Sequence, residues 1–153
     1  MNRKRSIAFV LCLLMLFIAA FANMTTVLAE ATDATPENFT FTGDWSEQDG
    51  VYSADAQDAF FECKFTGTSV EYYAVTGPEM GKVKVYVDGI FAKEIDLYAE
   101  QGEKELVFST KLDEGIHILG VGKSFLVNSK AGGDKHPINV AQVKFDSSAG
   151  DFT

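Results

Sequence analysis

The stretch Phe65–Gly89, FTGTSVEYYAVTGPEMGKVKVYVDG, decides the fold. Val70, Tyr72 and Ala74 alternate with Glu71 and Tyr73, and Val83, Val85 and Val87 alternate with Lys84 and Tyr86. A two-residue period belongs to an extended strand with one buried face. Gly77-Pro78 and Gly81 separate the two runs, and Asp88-Gly89 ends the second. Glycine supplies positive φ and proline presets φ at such turns. The segment therefore reads as two antiparallel strands joined as a hairpin, the grammar of a β-sandwich.

The same rhythm extends outward. Strands are expected at Phe39–Thr42, Val51–Ser53, Ala59–Phe65, Ser69–Thr76, Lys82–Asp88, Ile90–Leu97, Lys104–Thr110, Gly115–Lys123 and Ile138–Phe145. Turn signals recur every 8–12 residues or so, the spacing of a sandwich or barrel. No window carries a 3.6-residue apolar period, so little helix is expected. Phe61, Cys63, Phe65, Leu106, Phe108, Leu119, Val121, Val143 and Phe145 join the valines and Tyr72 as the expected core.

The N-terminus has a different character. Arg3, Lys4 and Arg5 precede an apolar run from Ile7 to Ala22, and Val27-Leu28-Ala29 places small residues at a cleavage position. These are the three parts of a secretory signal peptide, so the chain is expected to be secreted, extracellular and free of the membrane after cleavage. Residues 1–29 are then signal, 30–38 a linker, 39–146 a sandwich domain and 147–153 a tail. Removing 29 residues from 153 leaves 124, with ten basic against 22 acidic residues and a net charge of −12. That is one domain, long enough for a core. Its charge repels nucleic acid and anionic membranes. Cys63 alone remains after cleavage, so the fold needs no internal disulfide.

Two regions invite a ligand. Glu71, Tyr73, Lys84 and Tyr86 occupy the solvent side of the opening stretch, where they serve either as a binding face or as ordinary cross-strand pairs. Between Lys123 and Ile138 runs a long loop with Phe125, Asn128, Lys130 and His136, and loops of this length are often functional. Aromatic faces cover the apolar side of a sugar ring while amides and charges fix its hydroxyls. Asp44, Asp49 and Asp146 could meet at one end of a sandwich and hold a structural calcium, which takes several carboxylate oxygens; Asx turns are the plain alternative. Catalytic signatures are missing: no GxSxG, HExxH, CxxC or DxDxDG occurs. His117 shares the parity of Leu119 and Val121 and reads as a satisfied boundary histidine.

Three motifs carry a resemblance: Phe65-Thr66-Gly67-Thr68-Ser69-Val70, Val85-Tyr86-Val87-Asp88-Gly89, and Leu112-Asp113-Glu114-Gly115-Ile116-His117-Ile118-Leu119. Together they resemble the galactose-binding-domain-like jelly rolls. They are also similar to accessory domains of bacterial polysaccharide-degrading enzymes, including the module ahead of the catalytic domain in family 2 carbohydrate esterases. The resemblance spans about Phe39 to Phe145 and implies an all-β jelly roll of about eight or nine antiparallel strands. It also implies carbohydrate binding through end loops or a sheet face, and it carries no catalytic residue onto this chain. A non-catalytic carbohydrate-binding module is thus expected, with Trp45, Tyr73 or Tyr86 stacking on sugar and Glu71, Lys84, Asn128 or Lys130 bonding hydroxyls. The alternatives are an extracellular domain that binds a protein partner through its end loops and, last, a stand-alone hydrolase using His136.

Overall fold

The computed structural model describes residues 30–147; the expected signal peptide and most of the expected tail lie outside them. Ten strands follow in order: β1 (Glu30–Asp33), β2 (Phe39–Thr42), β3 (Ser46–Gln48), β4 (Val51–Ala54), β5 (Phe60–Val75), β6 (Lys82–Val87), β7 (Ile90–Asp96), β8 (Lys104–Lys123), β9 (Ile138–Val140) and β10 (Gln142–Ser147). Among the described residues the one helical piece is a 3-10 turn at Pro36–Asn38. The larger sheet runs β1-β10-β5-β8-β6-β7, with β2 also on β5, and β3-β4-β9 form a smaller one. All the paired strands are antiparallel. The chain is an all-β sandwich, as its alternation predicts.

Several expectations change. β5 and β6 are not a hairpin: β8 lies between them and pairs with both. The alternation of each strand is local and survives this, but partner choice is set by chain topology. The segment expected as a linker supplies β1, which adds to the sheet edge by pairing Glu30–Asp33 with Ser147–Lys144. All four residues of β1 are solvent-exposed, so no apolar alternation announces the strand.

Two pairs of expected strands are single long ones, β5 and β8. A register shift falls between Gly67 and Ser69, opposite Gly115 and Lys111. The extra residues reverse the parity of the strand, as a bulge does. Phe61, Cys63 and Phe65 therefore point inward before the bulge, and Val70, Tyr72 and Ala74 after it. Gly67 is required there, because a Cβ would lie 1.9 Å from the Asp146 carbonyl oxygen.

These residues join Val83, Val85, Leu119, Val121 and Val143 in the core, with Ala54, Ala59, Leu97, Ile138 and Val140 from the flanking strands and loops. Leu106 was expected inside but is 47% exposed, and Phe108, Phe145 and Val87 are only partly covered. Cys63 is fully buried, and burial pushes its thiol up to about 12, so it is inert. Two two-residue turns use the predicted Asp-Gly pairs, Asp49-Gly50 and Asp88-Gly89, all four with positive φ as type I′ hairpins need.

Candidate functional site

The outward face of β5, β8 and β6 carries a trough. Because Phe61, Leu119, Val121, Val83 and Val85 point inward, Phe60, Glu62, Gly120, Gly122, Lys84 and Tyr86 point outward. Register places Phe60, Gly122 and Lys84 in one row, and Glu62, Gly120 and Tyr86 in the next. In these two rows the central strand contributes only glycines, which leaves a channel two strand spacings wide, roughly 9–10 Å. The cavity has a volume of about 440 Å³ and is also lined by Gln57, Asp58, Ile118 and Phe125.

Phe60 forms its floor. A Cβ on Gly120 would meet the Phe60 ring at 2.8 Å, and one on Gly122 at 2.7 Å. The ring therefore lies against β8 over two positions that lack side chains. Tyr86 stands beside it, with centroids 6.1 Å apart and planes at 51°, and Phe91 abuts Tyr86 edge-on at 5.8 Å. Phe125 rises at the rim, 78% exposed. It is held out by its neighbour: buried Ser124 donates from its N–H to the Lys82 carbonyl and from its hydroxyl to Glu94, and accepts from the Leu126 N–H. Lys123 pairs with Asp55 at 2.7 Å. That hydrogen bond, with a further one from the His136 N–H, holds the Asp55 carboxyl below its ordinary range against the opposing effect of burial.

Three of the expected binding residues, Lys84, Tyr86 and Phe125, meet in this trough. The others go elsewhere. Glu71 and Tyr73 lie nine or more residues further along β5 than Glu62, on the order of 30 Å at strand rise. There the Tyr73 hydroxyl donates to Glu71 at 2.8 Å, and Lys104 and Lys144 lie 5.6 and 5.7 Å from the ring centroid, so its polar and π surfaces are already engaged. That hydrogen bond, first among several causes, raises the Tyr73 pKa. Trp45 packs against Phe41 and Phe61 at 5.1 and 5.9 Å and donates its indole N–H to the Thr42 carbonyl. It is part of the core margin, not a free stacking platform.

The long loop is tied down. Asn128 donates from its amide to Asp96 and accepts from the Lys130 N–H, and the His136 ring meets the Glu79 carbonyl at 3.2 Å. Lys130 is exposed, but the part of this loop that reaches the trough is Phe125. Among the described residues no three His, Cys, Asp or Glu side chains gather to hold a metal. Asp44 follows β2 beside the start of β5, Asp49 sits in the β3–β4 turn, and Asp146 accepts from Ser69 well along β5. First and last strands do flank one another at β1 and β10, but that pairing brings Asp146 beside Ala31, not beside Asp44.

Phe60, Glu62, Gly120 and Gly122 escaped the sequence reading, although a signal was present. A G-x-G inside a strand pattern marks close backbone approach, and LGVGK supplies one.

No family model matches the chain. Two curated proteins of Flavonifractor plautii are similar in part. The A type blood alpha-D-galactosamine galactosaminidase is 32% identical over 98 residues, covering 59% of this chain and 9% of that protein. The A type blood N-acetyl-alpha-D-galactosamine deacetylase is 32% identical over 89 residues, covering 53% and 12%. The chain thus spans only about a tenth of the length of these relatives. Among solved structures, a family two carbohydrate esterase from Cellvibrio japonicus superposes with a TM-score of 0.55 at 12% identity, over 78% of this chain and 33% of that one. The CBM36-1 domain of a multidomain xylanase from the hindgut metagenome of Trinervitermes trinervoides gives 0.53 at 11%, over 78% and 98%. A two-domain esterase active on acetylated mannans gives 0.54 at 14%, over 77% and 36%. The fold is a galactose-binding-like jelly roll. Similarity to the xylanase domain runs across nearly all of that domain, so this sandwich corresponds to a complete fold unit there.

Proposed function

We propose that the protein is a secreted, non-catalytic module that holds glycan in the β5–β8–β6 trough. The observation that carries the reading is Phe60 laid across Gly120 and Gly122, beside Tyr86, with Phe125 in the same lining. A flat aromatic floor receives the apolar face of a pyranose, and Glu62, Lys84, Gln57 and Asp58 are placed to bond its hydroxyls. The trough lining contains no histidine, serine or cysteine from which a Ser–His or Cys–His pair could be built, and in this reading its carboxylates, Asp58 and Glu62, are groups that bond the ligand. The partial similarity to two proteins named for galactosamine and N-acetylgalactosamine of type A blood glycans supports galactosamine-type sugars as the ligand class. The module would serve to keep such a glycan near a partner activity. A glycan array probed with the wild-type chain and with Phe60→Ala tests this. Selective hits that vanish in a variant of unchanged melting temperature support it, and an empty array or hits indifferent to Phe60 overturn it.

A second reading, a protein-docking domain, is favoured by one feature. Leu126 and Val127 continue from Phe125 as an apolar tip, 59% and 40% exposed. Capture of a specific protein lost on Leu126→Ser, with no glycan hits, would select it.

A further inference from the structure

We propose that the trough selects a sugar bearing a protonated amine over its N-acetylated or neutral counterpart. This inference rests on the glycan-binding reading and names the ligand chemistry of the same site.

Charge around the trough is unequal. Glu62 is exposed and stands across Gly120 from Tyr86, so its carboxylate borders the floor that Phe60 provides. Asp58 lines the same cavity from the loop before β5. Two ammonium groups also line the cavity, Lys84 and Lys123, and the second is neutralised. Lys123 is engaged by Asp55 through the carboxylate and the backbone carbonyl. Lys84 is the register partner of Glu94 on β7. With Lys123 engaged by Asp55, the lining leaves two carboxylates, Asp58 and Glu62, against the one ammonium of Lys84. The whole chain, at net −9, adds a background potential of the same sign.

A sugar lying on Phe60 presents its ring substituents sideways toward the trough walls. An ammonium group there meets Glu62 in a partly solvated setting, where an ion pair contributes up to about 1 kcal/mol, equivalent to about fivefold in affinity. An acetamide or a hydroxyl at the same position loses that attraction. The aromatic floor is indifferent to this substitution, so stacking and charge selection are separable in experiment.

The test is a set of titrations of the full chain with D-galactosamine, N-acetyl-D-galactosamine and D-galactose, at mildly acidic pH and low salt, repeated with Glu62→Gln and Phe60→Ala. The expected result is that galactosamine binds about three- to fivefold more tightly than the other two. Glu62→Gln should bring the three together at the galactose level, and added salt should shrink the difference in the wild type. Phe60→Ala should weaken all three alike. Equal binding of the three sugars in the wild type, or an amine preference that survives Glu62→Gln, overturns the charge selection while a Phe60-dependent affinity keeps the glycan-binding reading. Absence of any Phe60-dependent binding overturns both.

Discussion

His117 shows how one side chain fixes local geometry. Its Nδ1 lies 2.7 Å from the Asp88 carboxylate and its Nε2 2.7 Å from the Asp113 carbonyl. Both partners are acceptors, and only the imidazolium can donate from both nitrogens. The hydrogen bond to Asp88 and then that to the Asp113 carbonyl raise the His117 pKa above 6.5. Burial opposes, but the bonds from His117 and the Ile118 N–H hold the Asp88 pKa below 3.8. The histidine's contribution to stability is therefore fully present below its unfolded pKa and is lost as pH rises through the higher folded value. The contribution of Asp88 is present above its unfolded pKa and lost as pH falls through the lower folded one. Wild-type melting temperature should fall as pH rises from mildly acidic to mildly alkaline, and His117→Gln should flatten that slope. An equal slope in the variant would place the effect elsewhere. Asn139 offers a second residue-scale case. Buried at 1% exposure, it accepts from the Val75 N–H at 2.7 Å and donates to the Val75 carbonyl at 2.8 Å, closing the end of β5 as a neighbouring strand would. Its own carbonyl accepts from the buried Tyr72 hydroxyl. Asn139→Leu should cost roughly 1–3 kcal/mol for each backbone group left unpaired, read by urea unfolding; a loss below the error of that measurement would refute the role.

At the scale of elements, β8 does most to shape the site. Its inward residues, Leu119 and Val121, hold it in the core, and its outward glycines make room for Phe60. Gly120→Ala brings a methyl against the far end of the Phe60 ring, which can rotate away at little cost. Stability should change by less than about 1 kcal/mol, while glycan affinity should fall because the floor is displaced. Unfolding curves and titrations on one protein sample separate the two effects; retained affinity would show that the ring position is immaterial. Strand faces were legible in the sequence because period-two alternation is a local property, as Val83/Val85 and Leu119/Val121 show. Asp49-Gly50 and Asp88-Gly89 were equally legible, since positive φ selects those residues. Strand neighbours were not legible, because β8 enters between β5 and β6 from a place later in the chain. The proposed site was half visible for the same reason: Lys84 and Tyr86 stood out, but Phe60 and Glu62 join them only through β8. That Trp45 packs against Phe41 and Phe61 was not legible, because aromatic type says nothing about exposure.

For the whole molecule, the sandwich, on the proposed reading, keeps its inner face for packing and uses the trough on the outer face of three strands for the ligand. Tyr73, flanked by Lys104 and Lys144, and the Asn128 amide, bound to Asp96, are engaged within the protein, whereas Phe60, Tyr86 and Phe125 line the trough. Weak, multipoint binding is expected of a shallow channel that buries little area. The measurement that tests the account most directly is backbone amide shift mapping during titration with a galactosamine-terminated glycan. Glycan binding in the trough predicts shifts centred on Phe60, Glu62, Lys84, Tyr86, Gly120 and Gly122, with Tyr73 and Asn128 unmoved. Shifts centred on Tyr73, on the loop amides or on the Trp45 turn, with the trough silent, would contradict it.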